Sequence, residues 1–258
     1  MIKVKNLKFG YKEKIILNDI NVNIPQGKIT IIIGNNGCGK STLLKSMCNI
    51  INPISGEIYF NDKEIKEIGI KGIAKLVSVV HQTPKVPEEV TIEELCYMGR
   101  NPHKGIFDRI NKKDKEIVEK AIKMTGLWEL KDRNLINLSG GQRQRAFIAL
   151  ALAQDTEIIF LDEPTTYLDI NYQYEILELL KELNNNFNKT IVMVHHDLNQ
   201  AATYADNIIL MSEGEVLNQG TPEKVITEES IEKVFKLKCE KLCSSRGQCC
   251  FVPVERIG

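Results

Sequence analysis

The sequence has 258 residues, of which 43% are hydrophobic and 26% charged, and its 34 basic residues balance its 34 acidic ones. A net charge of zero gives no electrostatic reason to expect nucleic acid or anionic lipid as a partner. The longest nearly unbroken apolar run, AFIALALA, is far shorter than the roughly 20 residues that span a bilayer, and the N-terminal stretch lacks the apolar centre of a signal peptide. These features predict a cytoplasmic protein.

The N-terminal part of the chain alternates polar and apolar residues. IKVKNLKFGY (residues 2–11) and IILNDINVNI (residues 15–24) follow this pattern, which is typical of antiparallel strands. KITIII (residues 28–33) is instead a β-branched run that ends at Gly34, and helix-like content begins at Lys40. The sequence therefore predicts strand, loop and helix in that order.

The later part of the chain is helical first and then alternates strands with helices. Residues 91–152 are mostly helical, and apolar strands are predicted at residues 157–164 and 190–197, each followed by a helical stretch. Near-continuous apolar strands alternating with helices indicate a parallel sheet covered on both faces. Ligands of such sheets gather at the carboxyl ends of the strands. The overall prediction is a mixed α/β core with a helical insertion at about residues 88–152.

The stretch after the first apolar strand carries a phosphate-loop motif, glycine, four residues, glycine, lysine and serine. Its backbone amides can surround a phosphate at a helix N-terminus, its lysine can reach the β- and γ-phosphates, and its serine can bind magnesium. The plainer alternative is a glycine-rich turn without a ligand. The residues of this candidate site are Gly34, Asn35, Asn36, Gly37, Cys38, Gly39, Lys40, Ser41 and Thr42.

The segment FLDEP places two carboxylates at the end of a predicted strand. Asp162 can hold magnesium through water, and Glu163 can polarise an attacking water. On its own such a pair is more often a helix cap or a solvated pair. The phosphate loop elsewhere in the chain favours the catalytic interpretation.

LSGGQRQR at residues 138–145 is a second stretch suited to phosphate, because a serine and two glycines precede a helical run. Together with FLDEP it resembles the signature of ATP-binding cassette (ABC) ATPases, and the resemblance extends to about Val234. Four further residues match the loop glutamine, the dimer-crossing aspartate, the switch histidine and the adenine-stacking aromatic of that family: Gln82, Asp169, His196 and Tyr11. Singly each has a plainer interpretation as a loop, strand or helix-start residue, but jointly they identify a member of this family.

The resemblance implies an α/β fold, namely a P-loop NTPase cassette with a mixed parallel sheet core, an N-terminal antiparallel β subdomain and the helical insertion. It implies ATP and Mg²⁺ as ligands, and a head-to-tail homodimer in which each ATP lies between two copies. The residues implied to contact the ATP of the other copy are Ser139, Gly140, Gly141 and Gln142. The implied catalytic residues are Lys40, Gln82, Glu163 and His196, and the implied magnesium ligands are Ser41, Gln82 and Asp162.

Within the family, three classes come into question: an importer's motor subunit, a soluble ATPase acting on DNA or ribosomes, and a non-hydrolysing regulatory module. The chain is too short for the paired cassettes or coiled-coil insertion of most soluble relatives, and an inactive module would be expected to lose Glu163 or His196. MGRNPH (residues 98–103) and HDLNQAATYAD (residues 196–206) resemble the ATPases of iron-siderophore, haem and vitamin B12 importers. The alternative for Arg100 to His103 is a loop that closes the insertion.

An importer ATPase implies particular partners. We expect permease subunits docked at the region from Gln82 to His103, an extracytoplasmic substrate-binding protein acting indirectly, no nucleic acid, and a location at the cytoplasmic face of the membrane. An importer for another substrate stays an alternative. One departure from the family is Asn35, where many relatives have proline.

The cassette is predicted to occupy residues 1–236, and residues 237–258 form a short cysteine-rich extension with no counterpart in the family pattern. Four thiols lie close together there: Cys239, Cys243, Cys249 and Cys250. Four thiolates suit zinc or an iron–sulfur cluster, and a cytoplasmic location disfavours permanent disulfides. The spacing is not that of common zinc folds, so reduced cysteines in a plain hairpin are the alternative.

Overall fold

The computed structural model describes residues 1–11, 14–82, 87, 89–105, 108–243 and 249–257, with the backbone alone for Cys249. The strands are β1 (Ile2–Tyr11), β2 (Lys14–Ile24), β3 (Ile29–Gly34), β4 (Ser55–Phe60), β5 (Lys63–Glu64), β6 (Val77–Val80), β7 (Ile158–Asp162), β8 (Thr190–Val194), β9 (Asn207–Ser212), β10 (Glu215–Gly220), β11 (Leu237–Cys243) and β12 (Cys249–Arg256). The helices are α1 (Lys40–Met47), α2 (Ile65–Leu76), α3 (Ile92–Met98), α4 (Lys112–Met124), α5 (Gly140–Ala153), α6 (Ile170–Phe187), α7 (Leu198–Tyr204), α8 (Pro222–Val225) and α9 (Glu228–Phe235).

The chain forms two compact units, and the first contains residues 1–68 and 190–258. One sheet of this unit is antiparallel, with strand order β2, β1, β4, β5. Residues of β2 alternate between exposed and buried over much of its length, as a strand with one face on the core should. The predicted antiparallel strands at the N-terminus are therefore confirmed.

The other sheet strands of the first unit run in the order β10, β9, β3, β8. β3 lies parallel to both β8 and β9, and Ile32 pairs with Val194 on one side and Ile209 on the other. Every residue of β3 and β8 is buried, which explains why both read as continuous apolar runs. Because the strands are parallel, the loops after Gly34 and Val194 leave from the same edge.

A two-stranded antiparallel hairpin, β11 with β12, ends the first unit. Lys241 pairs with Phe251, and the Phe251 side chain is buried. The predicted boundary between residues 236 and 237 falls between the end of α9 and the start of β11.

The second unit contains residues 69–189. Its strands β6 and β7 are parallel, and Val80 pairs with Leu161. The predicted helices of the insertion are present as α3, α4 and α5, of which α3 and α5 begin at capping boxes formed by Thr91 and Ser139. Among the described residues, no helix combines the length and the apolar character that crossing a membrane requires.

Candidate ATP site

The loop after β3 owes its conformation to three glycines. Gly34, Gly37 and Gly39 have φ angles of 149°, 78° and 103°, a region that L side chains rarely adopt. A Cβ on Gly34 would lie 2.1 Å from the carbonyl oxygen of Met211, and one on Gly39 would lie 2.6 Å from Leu17 Cδ2. A Cβ on Gly37 would meet nothing within 4 Å, so that side of the loop is open to a ligand.

Lys40 is buried and turns back onto this loop. Its Nζ donates hydrogen bonds to the backbone oxygens of Gly34 and Asn35, both at 2.8 Å. Gly39 is the N-cap of α1 and supplies no side-chain cap, and the first turn holds no acidic residue. The helix therefore presents its N-terminal amides and a lysine ammonium at one place. These donors suit a polyphosphate ligand, and a glycine-rich turn without a ligand would not need them.

Cys38 and Ser41 complete the described chemistry of the loop. Burial raises the pKa of the Cys38 thiol, the main effect there, so the thiol stays neutral at physiological pH. Ser41 follows Lys40 at the start of α1 and is half-buried. A serine hydroxyl at this point suits magnesium as an oxygen ligand.

The predicted switch histidine lies at the same strand edge as the phosphate loop. His196 is exposed, whereas the preceding His195 is 3% exposed and its backbone N–H donates to Ile32 O of β3 at 3.1 Å. The ring Nε2 of His195 lies 2.7 Å from Gln200 Oε1, and the Asp197 carboxylate accepts from the Gln200 backbone N–H at 2.8 Å. Both chain neighbours of His196 are therefore held in place. The strand predicted to reach residue 197 ends earlier, at Val194.

In the second unit, the ends of β6 and β7 bring Gln82 and Glu163 together. Gln82 Nε2 donates to Glu163 Oε2 at 2.6 Å, and Thr166 Oγ1 donates to the same oxygen at 3.2 Å. Glu163 has a φ of +53°, in the left-handed region, and Asp162 beside it is buried at the end of β7. Backbone strain of this kind concentrates at functional sites, and here it accompanies the carboxylate expected to act on water.

The serine and glycines of the LSGGQ stretch also have local structural roles. Ser139 is the N-cap of α5, with its Oγ accepting from Gln142 N and its own N–H donating to Gln142 Oε1. A Cβ on Gly141 would lie 2.6 Å from the ring of Tyr172, so this position needs glycine for packing as well. Ser139 and Gly140 are exposed at the start of the helix.

Asp169 and Tyr11, which are predicted to meet a second copy and a ligand, are both exposed. Asp169 is the exposed N-cap of α6 without a side-chain capping bond, and its neighbours Tyr167 and Ile170 are 90% and 72% exposed. Tyr11 ends β1 with 62% of its surface exposed and packs edge-on against Phe9. Large exposed apolar side chains on both sides of Asp169 are typical of a surface that becomes covered.

Comparison with known proteins decides the family, because the ABC transporter family model matches residues 17–166. The chain belongs to the ABC transporter family. It is 46% identical over 239 residues to the petrobactin import ATP-binding protein FpuD of Bacillus anthracis, covering 93% of this chain and 88% of the relative. The cassette fold predicted from the sequence is confirmed, and the chain is an ATPase of this family.

Two solved structures extend the comparison. A metal-chelate type ABC transporter in an inward-facing conformation has a TM-score of 0.86 and 30% identity, covering 98% of this chain and 97% of that one. The dimeric bacterial ABC transporter cassette MJ0796 has a TM-score of 0.76 and 31% identity, covering 86% and 99%. Because only 2% of 258 residues, about five, lie outside the first match, it includes most of residues 237–258. Most of this extension therefore has a structural counterpart in that transporter, a match that does not concern its cysteines.

The GRNPH stretch of this cassette closes the helical insertion through contacts of the buried Arg100. Arg100 is buried and donates to Asp114 Oδ1 at 3.1 Å and to the Ala153 backbone oxygen at 2.8 Å, and Lys104 Nζ lies 2.7 Å from Asp114 Oδ2. Desolvation, the largest effect, would raise the pKa of Asp114, but hydrogen bonds from Lys104, the Asn111 backbone and Arg100 together lower that pKa to about 2. This stretch therefore has a structural role in closing the insertion, and the Arg100 side chain is not accessible at the surface.

The tail cysteines do not form a metal site in the described part of the cassette. Cys243 is disulfide-bonded, which corrects the expectation that the tail thiols are reduced, while Cys239 is half-buried and Cys250 exposed, both as free thiols. In the hairpin register Cys243 stands opposite Cys249 and Leu242 opposite Cys250. No group of three or more histidine, cysteine, aspartate or glutamate residues suited to a metal occurs among the described side chains. The SSRGQ stretch, residues 244–248, lies outside the described residues.

Three residues that hold other side chains or the hairpin in place were not predicted from the sequence. Thr166 holds the Glu163 carboxylate, Gln200 holds His195, and Asn199 contacts the C-terminal hairpin. The only signal for Thr166 was its position three residues after Glu163 in a turn. The contacts of Gln200 and Asn199 depend on where α7 begins, which periodicity does not fix within one residue.

Proposed function

We propose that this cassette is the ATP-hydrolysing motor subunit of an importer that takes up a metal chelate through a separate permease. The hydrolytic part of the proposal depends chiefly on one observation, the Glu163 carboxylate oriented by Gln82 at 2.6 Å directly after Asp162. A non-hydrolysing module has no use for that arrangement. The transport part draws on MGRNPH, HDLNQAATYAD and the petrobactin import relative.

The residues of the site divide the binding of ATP, the binding of Mg²⁺ and the activation of water among them. Lys40 and the amides of residues 34–42 bind the phosphates, Tyr11 stacks on adenine, and Glu163 accepts the proton of the attacking water. Ser41, Gln82 and Asp162 would hold Mg²⁺, which when bound neutralises charge on the phosphate oxygens. Because the amide nitrogen of Gln82 donates to Glu163, its Oε1 is the atom suited to the metal. His196 approaches the γ-phosphate from the edge shared by β3 and β8.

The site is complete only when two copies meet. The exposed Ser139 and Gly140 at the start of α5 offer backbone amides, and Asp169 lies between two exposed apolar side chains. The MJ0796 cassette, 31% identical to this chain, has been solved as a dimer. ATP would thus join the phosphate loop of one copy to residues 139–142 of the other, and hydrolysis would release them.

Permease subunits would dock on the region from Gln82 to His103, part of which lies outside the described residues. Its described surface includes the exposed side chains of Met98 and Asn101, whereas Arg100 is buried. Cysteines at Met98 and Asn101 should crosslink to a co-expressed permease, with Lys115→Cys on the exposed side of α4 as the control. Crosslinks from the control alone would reject this docking surface. The working location would be the cytoplasmic face of the membrane.

Uptake in proteoliposomes tests the proposed transport function. The cassette is reconstituted with its permease and the matching extracytoplasmic binding protein, and ferric siderophore, haem and cobalamin are supplied in turn. Uptake of one of them that requires ATP and fails with Glu163→Gln supports the proposal. ATP hydrolysis without uptake of any chelate would favour the alternatives, an importer for another substrate or an ATPase not coupled to transport.

The cofactor proposed for hydrolysis is Mg²⁺, with ATP as substrate. The zinc or iron–sulfur site predicted for the tail would require the disulfide of Cys243 to be reduced, because a ligand sulfur must be a thiolate. Metal analysis and absorption spectra after anaerobic purification test it. A colourless, metal-free protein would exclude that site.

A further inference from the structure

The Asn199 side chain ties the C-terminal hairpin to α7. Asn199 Nδ2 donates to the backbone oxygen of Phe251 at 3.2 Å, and Asn199 Oδ1 accepts from the Phe251 backbone N–H at 2.8 Å. Among the described strands β12 pairs with β11 alone, so these bonds occupy part of the edge that β12 would otherwise expose. The Phe251 side chain is 6% exposed, so a buried ring reinforces the polar contact.

The other edge of the hairpin, formed by β11, is bonded to α9 at the position opposite Phe251. The Lys241 backbone N–H donates to Glu228 Oε1 of α9 at 3.2 Å, and Lys241 is the register partner of Phe251. The hairpin is therefore fixed between α9 and α7 along one line of contacts. A change in the hairpin would reach α7 through Asn199.

Asn199 lies three residues after His196, within the first turn of α7. That turn is also bonded on both sides of His196, by Gln200 to the His195 ring and by the Asp197 cap to Gln200 N. His195 and Gln200 are 3% and 4% exposed, so this part of the link is buried. The exposed His196 thus sits on a short connection whose direction depends on where α7 lies.

We propose that Asn199 is a positioning residue through which the C-terminal hairpin sets the orientation of the switch histidine, His196. This inference rests on the proposed role of His196 in hydrolysis. Nucleotide binding depends on Lys40 and Tyr11, which the contact does not touch. The hairpin therefore affects turnover and not affinity for ATP.

Steady-state ATP hydrolysis by Asn199→Ala tests the proposal. We expect kcat to fall about 3- to 10-fold with KM for ATP within about twofold of the parent, because two hydrogen bonds that orient a transition-state contact are lost. Thr203→Ala is the matched control, since it removes the hydrogen bond from Thr203 Oγ1 to the Asn199 backbone oxygen on the same helix without touching the hairpin. The control should keep the parent kcat.

A double-mutant cycle separates positioning from a general loss of structure. In a His196→Ala background, Asn199→Ala should lower kcat no further, because its effect passes through that histidine. An equal further loss in that background, or a parent-like kcat for Asn199→Ala alone, would overturn the inference while leaving the proposed function intact. A parent-like kcat for His196→Ala would overturn both this inference and the proposed role of His196 in hydrolysis. Phe251→Ala, which acts from the hairpin side, should reproduce the same pattern and replaces Asn199→Ala if that variant does not fold.

Discussion

The amide nitrogen of Gln82 lies 2.6 Å from a carboxylate oxygen of Glu163, although 81 residues separate them in the chain. The parallel register of β6 and β7 produces this contact, since Val80 stands opposite Leu161 and both strands end at the same edge. Thr166 donates to the same oxygen. Two donors therefore hold the carboxylate that we assign as the base, which lowers the reorganisation needed during the reaction.

Glu163→Gln should lower kcat for ATP hydrolysis by about 100-fold or more, because an amide cannot accept the proton of the attacking water. Nucleotide affinity should remain, since the phosphate loop is unchanged. Glu157→Gln, an exposed residue just before β7, is the matched control and should hydrolyse ATP at the parent rate. Hydrolysis by Glu163→Gln at the parent rate would remove Glu163 from its assigned role.

Gln82→Glu should move the acid limb of the pH–activity profile upward by about one pH unit. Two carboxylates at hydrogen-bonding distance share a proton, so the base becomes ionised only at higher pH. Gln82→Ala should lower kcat about 10-fold without this shift, because it removes the orienting bond and adds no charge. An unshifted profile for Gln82→Glu would show that the two side chains are apart in the working enzyme.

Lys40→Ala should lower affinity for ATP by at least about 10-fold, because it removes the buried cation that lies against the phosphate loop. Fluorescence titration with a labelled ATP analogue measures the change. Lys45→Ala, one turn further along α1, is the control and should bind as the parent does. Equal binding by parent and Lys40→Ala would contradict the assignment of this loop.

Asp114→Asn should destabilise the protein by about 3 kcal/mol near pH 7, because Arg100 and Lys104 would lose their buried partner. The pKa of Asp114 is lowered to about 2 from 3.8, so the folded state favours the ionised form. That stabilisation is present above about pH 4 and disappears as the pH falls through 2. Denaturant unfolding should show the difference from the parent shrinking over this range, with the 80%-exposed Asp132→Asn showing none.

The sequence anticipated the elements that carry strong periodicity or a specific motif. The buried strands before Gly34 and after Glu157, the phosphate loop and the capped helix at Ser139 all depend on local patterns. Long-range contacts were out of reach, because the burial of Arg100 against Asp114 and Ala153 depends on how α4 and α5 pack. The left-handed backbone conformation of Glu163 could not be predicted either, because no local residue preference requires it.

The mass of Glu163→Gln in solution, measured by light scattering with and without ATP and Mg²⁺, tests the central claim that two copies share each ATP. We expect one chain of 29.3 kDa without nucleotide and twice that mass, 58.6 kDa, with ATP. Ser139→Arg in the same background should remain at the lower mass with ATP bound, because its large cation blocks the approach of residues 139–142 to the other copy. A mass that stays at one chain with saturating ATP, or a dimer unaffected by Ser139→Arg, would contradict the account.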